Sequence, residues 1–119
     1  MLFATNAQSQ CCTYTLDGYD SFGDGWNGAS LEIYVNGALQ TFFDVPGSTN
    51  SFSFTACDGD NIQLIFNSGT WDSEITYTLS NPNGIIFSDG PNPTIGSAYS
   101  AAGDCSATGG GGGTPTNTD

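Results

Sequence analysis

The sequence predicts an all-β protein, an antiparallel β-sandwich or jelly-roll-like fold of about seven to eight short strands. Short segments of alternating polar and apolar residues recur along the chain, and clusters of glycine, proline, asparagine and aspartate separate them. No segment shows the period of about 3.6 residues that marks an amphipathic helix. Short strands at regular intervals, with turn-forming residues between them, are typical of sandwiches and barrels.

Seven segments show this alternation, and two of them lead into the same kind of turn. The segment SLEIYV places Leu31, Ile33 and Val35 on one face and is followed by Asn36–Gly37, which favours a hairpin because both turn positions take positive φ. The segment SEITYTL leads to a similar turn at Asn83–Gly84. The seven predicted strands are CTYTL, SLEIYV, ALQTFFDV, SFSFTA, NIQLIF, SEITYTL and IIFS.

The chain divides into one domain and two tails. Residues 11–106 form the predicted disulfide-linked sandwich, and residues 107–119, ATGGGGGTPTNTD, form a linker rich in glycine, threonine and proline. Residues 1–10, MLFATNAQSQ, have an apolar start and a small-residue end. This pattern predicts either the remnant of a secretory signal peptide or an N-terminal strand that assembles with a neighbour.

All charged side chains of the protein are acidic. The 119 residues include 12 aspartates and glutamates and no lysine, arginine or histidine, which gives a formal net charge of −12. Nucleic acid is excluded as a partner because phosphate binding needs basic side chains, and no apolar run approaches the roughly 20 residues of a membrane span. Without histidine or lysine as a base, the chain is expected not to be an enzyme. Its carboxylates must lie in water or bind metal cations.

Four cysteines, Cys11, Cys12, Cys57 and Cys105, form an even set in a small domain. Their number predicts two disulfides and secretion into an oxidising, extracellular environment. A bond between the neighbours Cys11 and Cys12 would be strained, so each is expected to reach a distant partner.

Two loops contain acids that could bind a cation, one with Asp20 and Asp24 and the other with Asp72 and Glu74. The segment DSFGDG, residues 20–25, supplies carboxylate and carbonyl oxygens almost exclusively, and Ca²⁺ prefers such ligands. The alternative is that aspartate, asparagine and glycine serve only as turn formers. The expected calcium ligands are Asp20, Asp24, Asp72 and Glu74, with Asp17 and Asn27 in reserve.

Each of these loops contains a tryptophan and leads into a long alternating strand. Trp26 lies before SLEIYV and Trp71 before SEITYTL. If both strands run in the same direction, both loops lie at one end of the sandwich, where the rings can cap the core. The alternative is that Trp26, Trp71 or Tyr19 is exposed and stacks on a sugar ring.

The motifs of these loops resemble a module of secreted, surface proteins of the Bacteroidota type. In this module, D-S-[FY]-G-D-G-W-N-G is followed by a strand and later by a G-x-W-x-S-E segment. The present chain has DSFGDGWNG and GTWDSE, and the similarity extends over residues 12–105. The residues that carry it are Asp20, Gly23, Asp24, Gly25, Trp26, Asn27, Gly28, Trp71, Ser73 and Glu74. The resemblance implies an extracellular, non-catalytic β-sandwich that is repeated or appended in large exported proteins.

Together these observations predict a secreted, cell-surface structural or adhesive module, stabilised by calcium, that is a building block of an appendage or filament. Its expected partners are other copies or neighbouring modules of the same assembly, because no lysine protects the sheet edges from pairing. The net charge opposes such contacts unless cations screen it. The alternative function is that of a carbohydrate-binding module, with glycans as partners.

Overall fold

The protein is a sandwich of two antiparallel four-stranded sheets, which confirms the predicted fold class. The structure, a computed structural model, describes residues 10–106. The predicted N-terminal tail, apart from Gln10, and the predicted linker lie outside the described residues. The strands are β1 (Cys11–Asp20), β2 (Ser30–Val35), β3 (Ala38–Phe43), β4 (Thr49–Cys57), β5 (Asn61–Asn67), β6 (Ile75–Asn81), β7 (Gly84–Asp89) and β8 (Gly96–Ala102).

The strand order is β4-β1-β6-β7 in the first sheet and β3-β2-β5-β8 in the second. The chain forms hairpins within a sheet at β2–β3 and β6–β7 and otherwise crosses from one sheet to the other. Asn36 and Gly37 turn the first hairpin with φ of 52° and 79°, as the sequence predicts. The second hairpin pairs Asn81 with Gly84.

The alternation of each strand directs one face of each sheet into a common core. The central strands β1, β2, β5 and β6 supply most of the core because they have neighbours on both sides. Val35 and Phe52, which the pattern places inside, are only half-buried. Val35 is the last residue of β2, and Phe52 lies on the edge strand β4.

The eighth strand is not among the seven that the sequence pattern predicts. Strand β8, GSAYSAA, contains a single large side chain, Tyr99. It pairs with β5, and the ring of Tyr99 lies 5.0 Å from that of Phe87 across the sandwich. Pairing with β5 therefore defines this strand, since its small residues carry no clear alternation.

Two disulfides hold the chain together, and both join distant cysteines as expected. Cys11 and Cys57 face each other across β1 and β4 and are bonded. The second disulfide joins the buried Cys12 to Cys105, 93 positions further along the chain, and secures the segment that follows β8. Among residues 10–106, no helix is long and apolar enough to cross a membrane.

Four connections meet at one end of the sandwich, which we call the upper end. They are residues 21–29, 44–48, 68–74 and 90–95, which follow β1, β3, β5 and β7. Backbone hydrogen bonds join them: Asp20 N donates to Ser48 O at 2.8 Å and Asn92 N to Asp72 O at 3.0 Å. The turns after β2, β4 and β6 lie at the opposite, lower end. Both acidic loops are therefore at the upper end, because β2 and β6 run in the same direction.

Candidate metal centre

The loop after β1 is organised around the side chain of Asp20. Asp20 Oδ2 accepts hydrogen bonds from the backbone nitrogens of Asp24, at 2.8 Å, and Gly25, at 3.0 Å. Gly25 has a φ of 94°, and a β-carbon there would lie 2.9 Å from the backbone oxygens of Val45 and Pro46. A glycine is therefore required at position 25, and the loop folds tightly back on the carboxylate.

A second loop brings Glu74 to the same place. Residues 72–74 form a single turn of 3₁₀-helix in which Glu74 N donates to Trp71 O at 3.0 Å. Ser21 N donates to Glu74 O at 3.0 Å, which joins the two loops through their backbones. As a result, carboxylate oxygens of Asp20, Asp24 and Glu74 all lie within 4.8 Å of one another.

Two oxygens of this cluster are buried and lack a hydrogen-bond donor. Asp20 is only 4% exposed. No group among residues 10–106 donates a hydrogen bond to Asp20 Oδ1 or to Glu74 Oε1. A buried acceptor without a partner costs free energy, and this cost is greater when neighbouring carboxylates repel each other.

The neighbouring carboxylates also affect the pKa of Glu74. Burial raises the pKa of this carboxyl above its ordinary value, and the negative charges of Asp24 and Asp20 raise it further, as does a side-chain hydrogen bond to Asp20 that only the protonated carboxyl can donate. A bound cation would remove the repulsion and satisfy both unpartnered oxygens. The ligand atoms are all carboxylate oxygens, a set that fits Ca²⁺ and offers no nitrogen or sulfur for zinc.

The structure brings together three of the four expected ligands and separates the fourth. Asp72 lies outside the cluster because its carboxylate accepts hydrogen bonds from Gly69 N, at 2.8 Å, and from the Ser68 hydroxyl. It therefore acts as a turn former, which was the alternative interpretation of these acids. Of the reserve ligands, Asp17 is also outside the cluster. It lies on the outer face of the first sheet, where its carboxylate accepts a hydrogen bond from the Ser51 hydroxyl.

Asn27, the other reserve ligand, supports the loop from beside the cluster. Its side-chain nitrogen donates to Gly25 O at 2.9 Å and to Asp24 Oδ1 at 3.3 Å. Its φ of 52° lies in the left-handed region, which asparagine tolerates better than most residues. Asn27 thus helps to orient the Asp24 carboxylate.

The two tryptophans have opposite environments. Trp26 is buried in the core, and its ring nitrogen donates to Tyr19 O at 3.1 Å. Core capping therefore describes Trp26, whose ring meets those of Phe43 and Phe66 edge-on. The same interpretation is wrong for Trp71, which is 53% exposed. Tyr19 also faces solvent, on the outer face of the first sheet.

Two further residues near Asp20 in the sequence, Phe22 and Gly18, were not predicted to matter from the sequence. Phe22 lies between Asp20 and Asp24 and is 75% exposed. Gly18 lies inside β1, where a β-carbon would be 2.9 Å from the ring of Trp26. A glycine in the interior of a strand is the sequence signal for such a close approach.

Comparison of the chain with models of protein families, with curated proteins and with solved structures found no match. A function therefore has to be inferred from the disulfide-linked sandwich, its charge distribution and the geometry of the upper loops.

Proposed function

We propose that this chain is a non-catalytic extracellular module with a structural or adhesive role, whose upper loops are held together by a calcium ion. The observation that carries the proposal is the convergence of Asp20, Asp24 and Glu74 around two buried oxygens that accept no hydrogen bond from the described residues. A calcium ion there joins the loop after β1 to the loop before β6. Such a bond stabilises the folded state because the unfolded chain does not hold the three ligands together.

The disulfides support an extracellular location. Both pairs of cysteines are bonded, and no free cysteine is present among residues 10–106. Disulfides of this kind persist in oxidising environments outside the cytoplasm. Calcium is also abundant there, so that a site of modest affinity is occupied.

A structural or adhesive role agrees better with the surface than catalysis does. No cavity is found in the described part of the chain, whereas enzyme sites are usually concave. The chain has no histidine or lysine to serve as a general base or nucleophile. The resemblance of its loops to a repeated module of surface proteins points in the same direction.

The charge distribution favours association through the sides of the sandwich. The outer faces of the two sheets carry only one acid each, Asp17 and Glu32, among the described residues. The other described acids lie at the ends, with Asp20, Asp24, Asp44, Asp72, Glu74 and Asp89 at the upper end and Asp58, Asp60 and Asp104 at the lower end. The outer faces therefore add little repulsion of their own to a side-by-side contact, and cations that screen the acids at the ends would permit assembly, as expected of a building block of an appendage or filament.

The outer face of the first sheet is suited to such a contact. Its outward positions on β4, β1 and β6 are mostly short hydroxyl side chains in register across the strands. They include Thr13, Thr15, Ser51, Ser53, Thr55, Thr78 and Ser80. With short hydroxyl side chains at most positions and Asp17 as its one acid among the described residues, this face is largely flat and weakly charged.

A carbohydrate-binding module is the second candidate function. The observation that favours it is the exposure of Trp71 in the loop that supplies Glu74, where the ring has no role in the core. An exposed aromatic ring can pack against the apolar face of a sugar ring.

Calcium binding is tested by thermal unfolding of the wild-type chain in excess calcium and in excess chelator. At about 100 times the Kd, calcium should stabilise the folded state by about 2.7 kcal/mol, which raises the Tm of a domain of this size by about 10 °C. Asp20→Asn should abolish this shift, because it removes a ligand charge while retaining an acceptor for the loop. Asp44→Asn, which changes an upper-end acid outside the cluster, should keep it. An equal Tm in calcium and chelator for the wild-type chain would refute the calcium site.

Self-association is tested by sedimentation velocity and electron microscopy. Assembly should increase with added calcium or salt, because both reduce the repulsion between copies that carry a net charge of −12. Thr15→Glu adds a charge to the outer face of the first sheet and should weaken assembly. Asn83→Glu adds the same charge to a turn at the lower end and is the control. A chain that remains monomeric in every condition is not a building block.

A further inference from the structure

We infer that the metal centre is also a ligand site, at which a neutral glycan binds the calcium ion through two neighbouring hydroxyl groups and lies against Phe22 and Trp71. This inference rests on the proposed calcium site and names the class of ligand that would bind there. The ligand chemistry is that of a sugar with vicinal hydroxyls and an apolar ring face.

The first step is the number of oxygen ligands that calcium requires. Ca²⁺ takes about six to eight oxygens, whereas the described chain brings only three carboxylates to the cluster. One oxygen of Asp20 also accepts two backbone hydrogen bonds. Further ligands must therefore come from outside these three side chains. Asp24 is exposed, so an ion bound here is accessible from solvent on that side.

The second step is the presence of an exposed aromatic side chain in each of the two loops that supply the cluster. Phe22 is 75% exposed and lies in the loop between Asp20 and Asp24. Trp71 is 53% exposed, and its carbonyl accepts the backbone hydrogen bond of Glu74. Each of the two loops that supply the carboxylates therefore also presents a large apolar ring to solvent. Exposed aromatic rings offer a ligand a large apolar area, and the carboxylates of the same loops offer it polar contacts.

The third step is the negative charge of the upper end, which disfavours anionic ligands and favours neutral ones. Six acids lie there, and one calcium ion neutralises only two of these charges. Aromatic loop tips beside calcium would also suit an anionic lipid surface, but the remaining acids repel such a surface, and the chain has no basic residue to attract it. A neutral glycan meets no such repulsion. Its hydroxyl oxygens are hard ligands that calcium accepts in place of water.

The experiment uses the full chain on an array of neutral glycans, with calcium, with chelator and with magnesium in place of calcium. Phe22→Ala and Trp71→Ala should each reduce glycan binding about tenfold or more, and Trp71→Phe should restore part of it. Phe42→Ala and Ile85→Ala remove exposed apolar side chains elsewhere and are the controls. Isothermal titration of every variant with calcium alone, together with its Tm, separates loss of the ligand contact from loss of the metal site or of the fold.

The possible results are distinct. Glycan binding that needs calcium and is weakened by the two aromatic variants, at unchanged calcium affinity, supports the inference. Calcium binding without any glycan bound on the array overturns the inference and leaves the calcium site intact. Glycan binding that persists in chelator also overturns it. Calcium-dependent sedimentation with phosphatidylserine vesicles, without glycan binding, would assign the site to lipid instead. If calcium itself does not bind, both the proposed metal site and this inference are wrong.

Discussion

The two tryptophans lie in the two acidic loops of the upper end, and a glycine makes room in the core for one of them. Trp26 enters the core because Gly18, on the neighbouring strand β1, leaves room for its ring. A β-carbon at position 18 would lie between 2.7 and 2.9 Å from side-chain atoms of Phe43, Val45 and Trp26. Trp71 remains in solvent. At the scale of single residues, the burial of Trp26 thus depends on the missing side chain of Gly18.

Replacing Gly18 should therefore be costly. Gly18→Ala forces an extra methyl group into a packed region and should lower the free energy of unfolding by about 1–3 kcal/mol. The matched control is Gly47→Ala, since a β-carbon there has no atom within 4 Å and the change should stay within about 0.5 kcal/mol. Urea denaturation of both variants measures the difference. Equal stability of the two variants would contradict the packing described for Trp26.

At the scale of elements, the strands were more predictable than the loops. Strands such as β2 and β5 alternate strictly, so their buried faces can be identified without coordinates. Strand β8 has small residues on both faces, and only its pairing with β5 makes it a strand. The disulfides were partly predictable. Their number and the absence of a vicinal bond were predictable, whereas the partners depend on strand order.

The acidic loops show most clearly what the sequence pattern does not predict. Asp20 and Asp72 are the same residue type, and both were expected to bind calcium. The backbone nitrogen of Gly69 engages Asp72, whereas one oxygen of Asp20 accepts no hydrogen bond among the described residues. Which acids meet depends on how two loops, about 50 residues apart in sequence, pack against each other. Local sequence patterns place both loops at one end of the sandwich but do not determine which of their side chains meet.

At the scale of the whole molecule, the groups that govern pH dependence are carboxyls and tyrosines. Hydrogen bonds from Asn36 and from the backbone of Cys57 lower the pKa of Asp60, and backbone and side-chain hydrogen bonds from Ser106 lower that of Asp104. Burial, reinforced by the charge of Asp89, raises the pKa of Tyr77. Carboxyls with lowered pKa values stabilise the fold above their ordinary range and lose this effect as the pH falls. A tyrosine with a raised pKa stabilises it below about pH 10 and loses this effect as the pH rises.

The stability of the calcium-saturated protein should therefore be nearly constant between about pH 5.5 and 9, because no histidine or lysine titrates in the chain. It should fall on both sides of this range. Asp60→Asn should reduce the slope on the acid side, and Tyr77→Phe should reduce it on the alkaline side. Chemical denaturation at a series of pH values tests this. A steep change near pH 7 would show that a group other than these controls stability.

The sequence by itself determined the alternation that builds the two sheets, the even set of cysteines and the absence of any basic side chain. These properties follow from residue type and local spacing, which act before any distant contact forms. The tertiary structure decided which tryptophan is buried, which cysteines are bonded and which three acids converge. Each of these depends on strand order and loop packing between residues far apart in sequence, where the geometry of the whole sandwich determines which side chains meet.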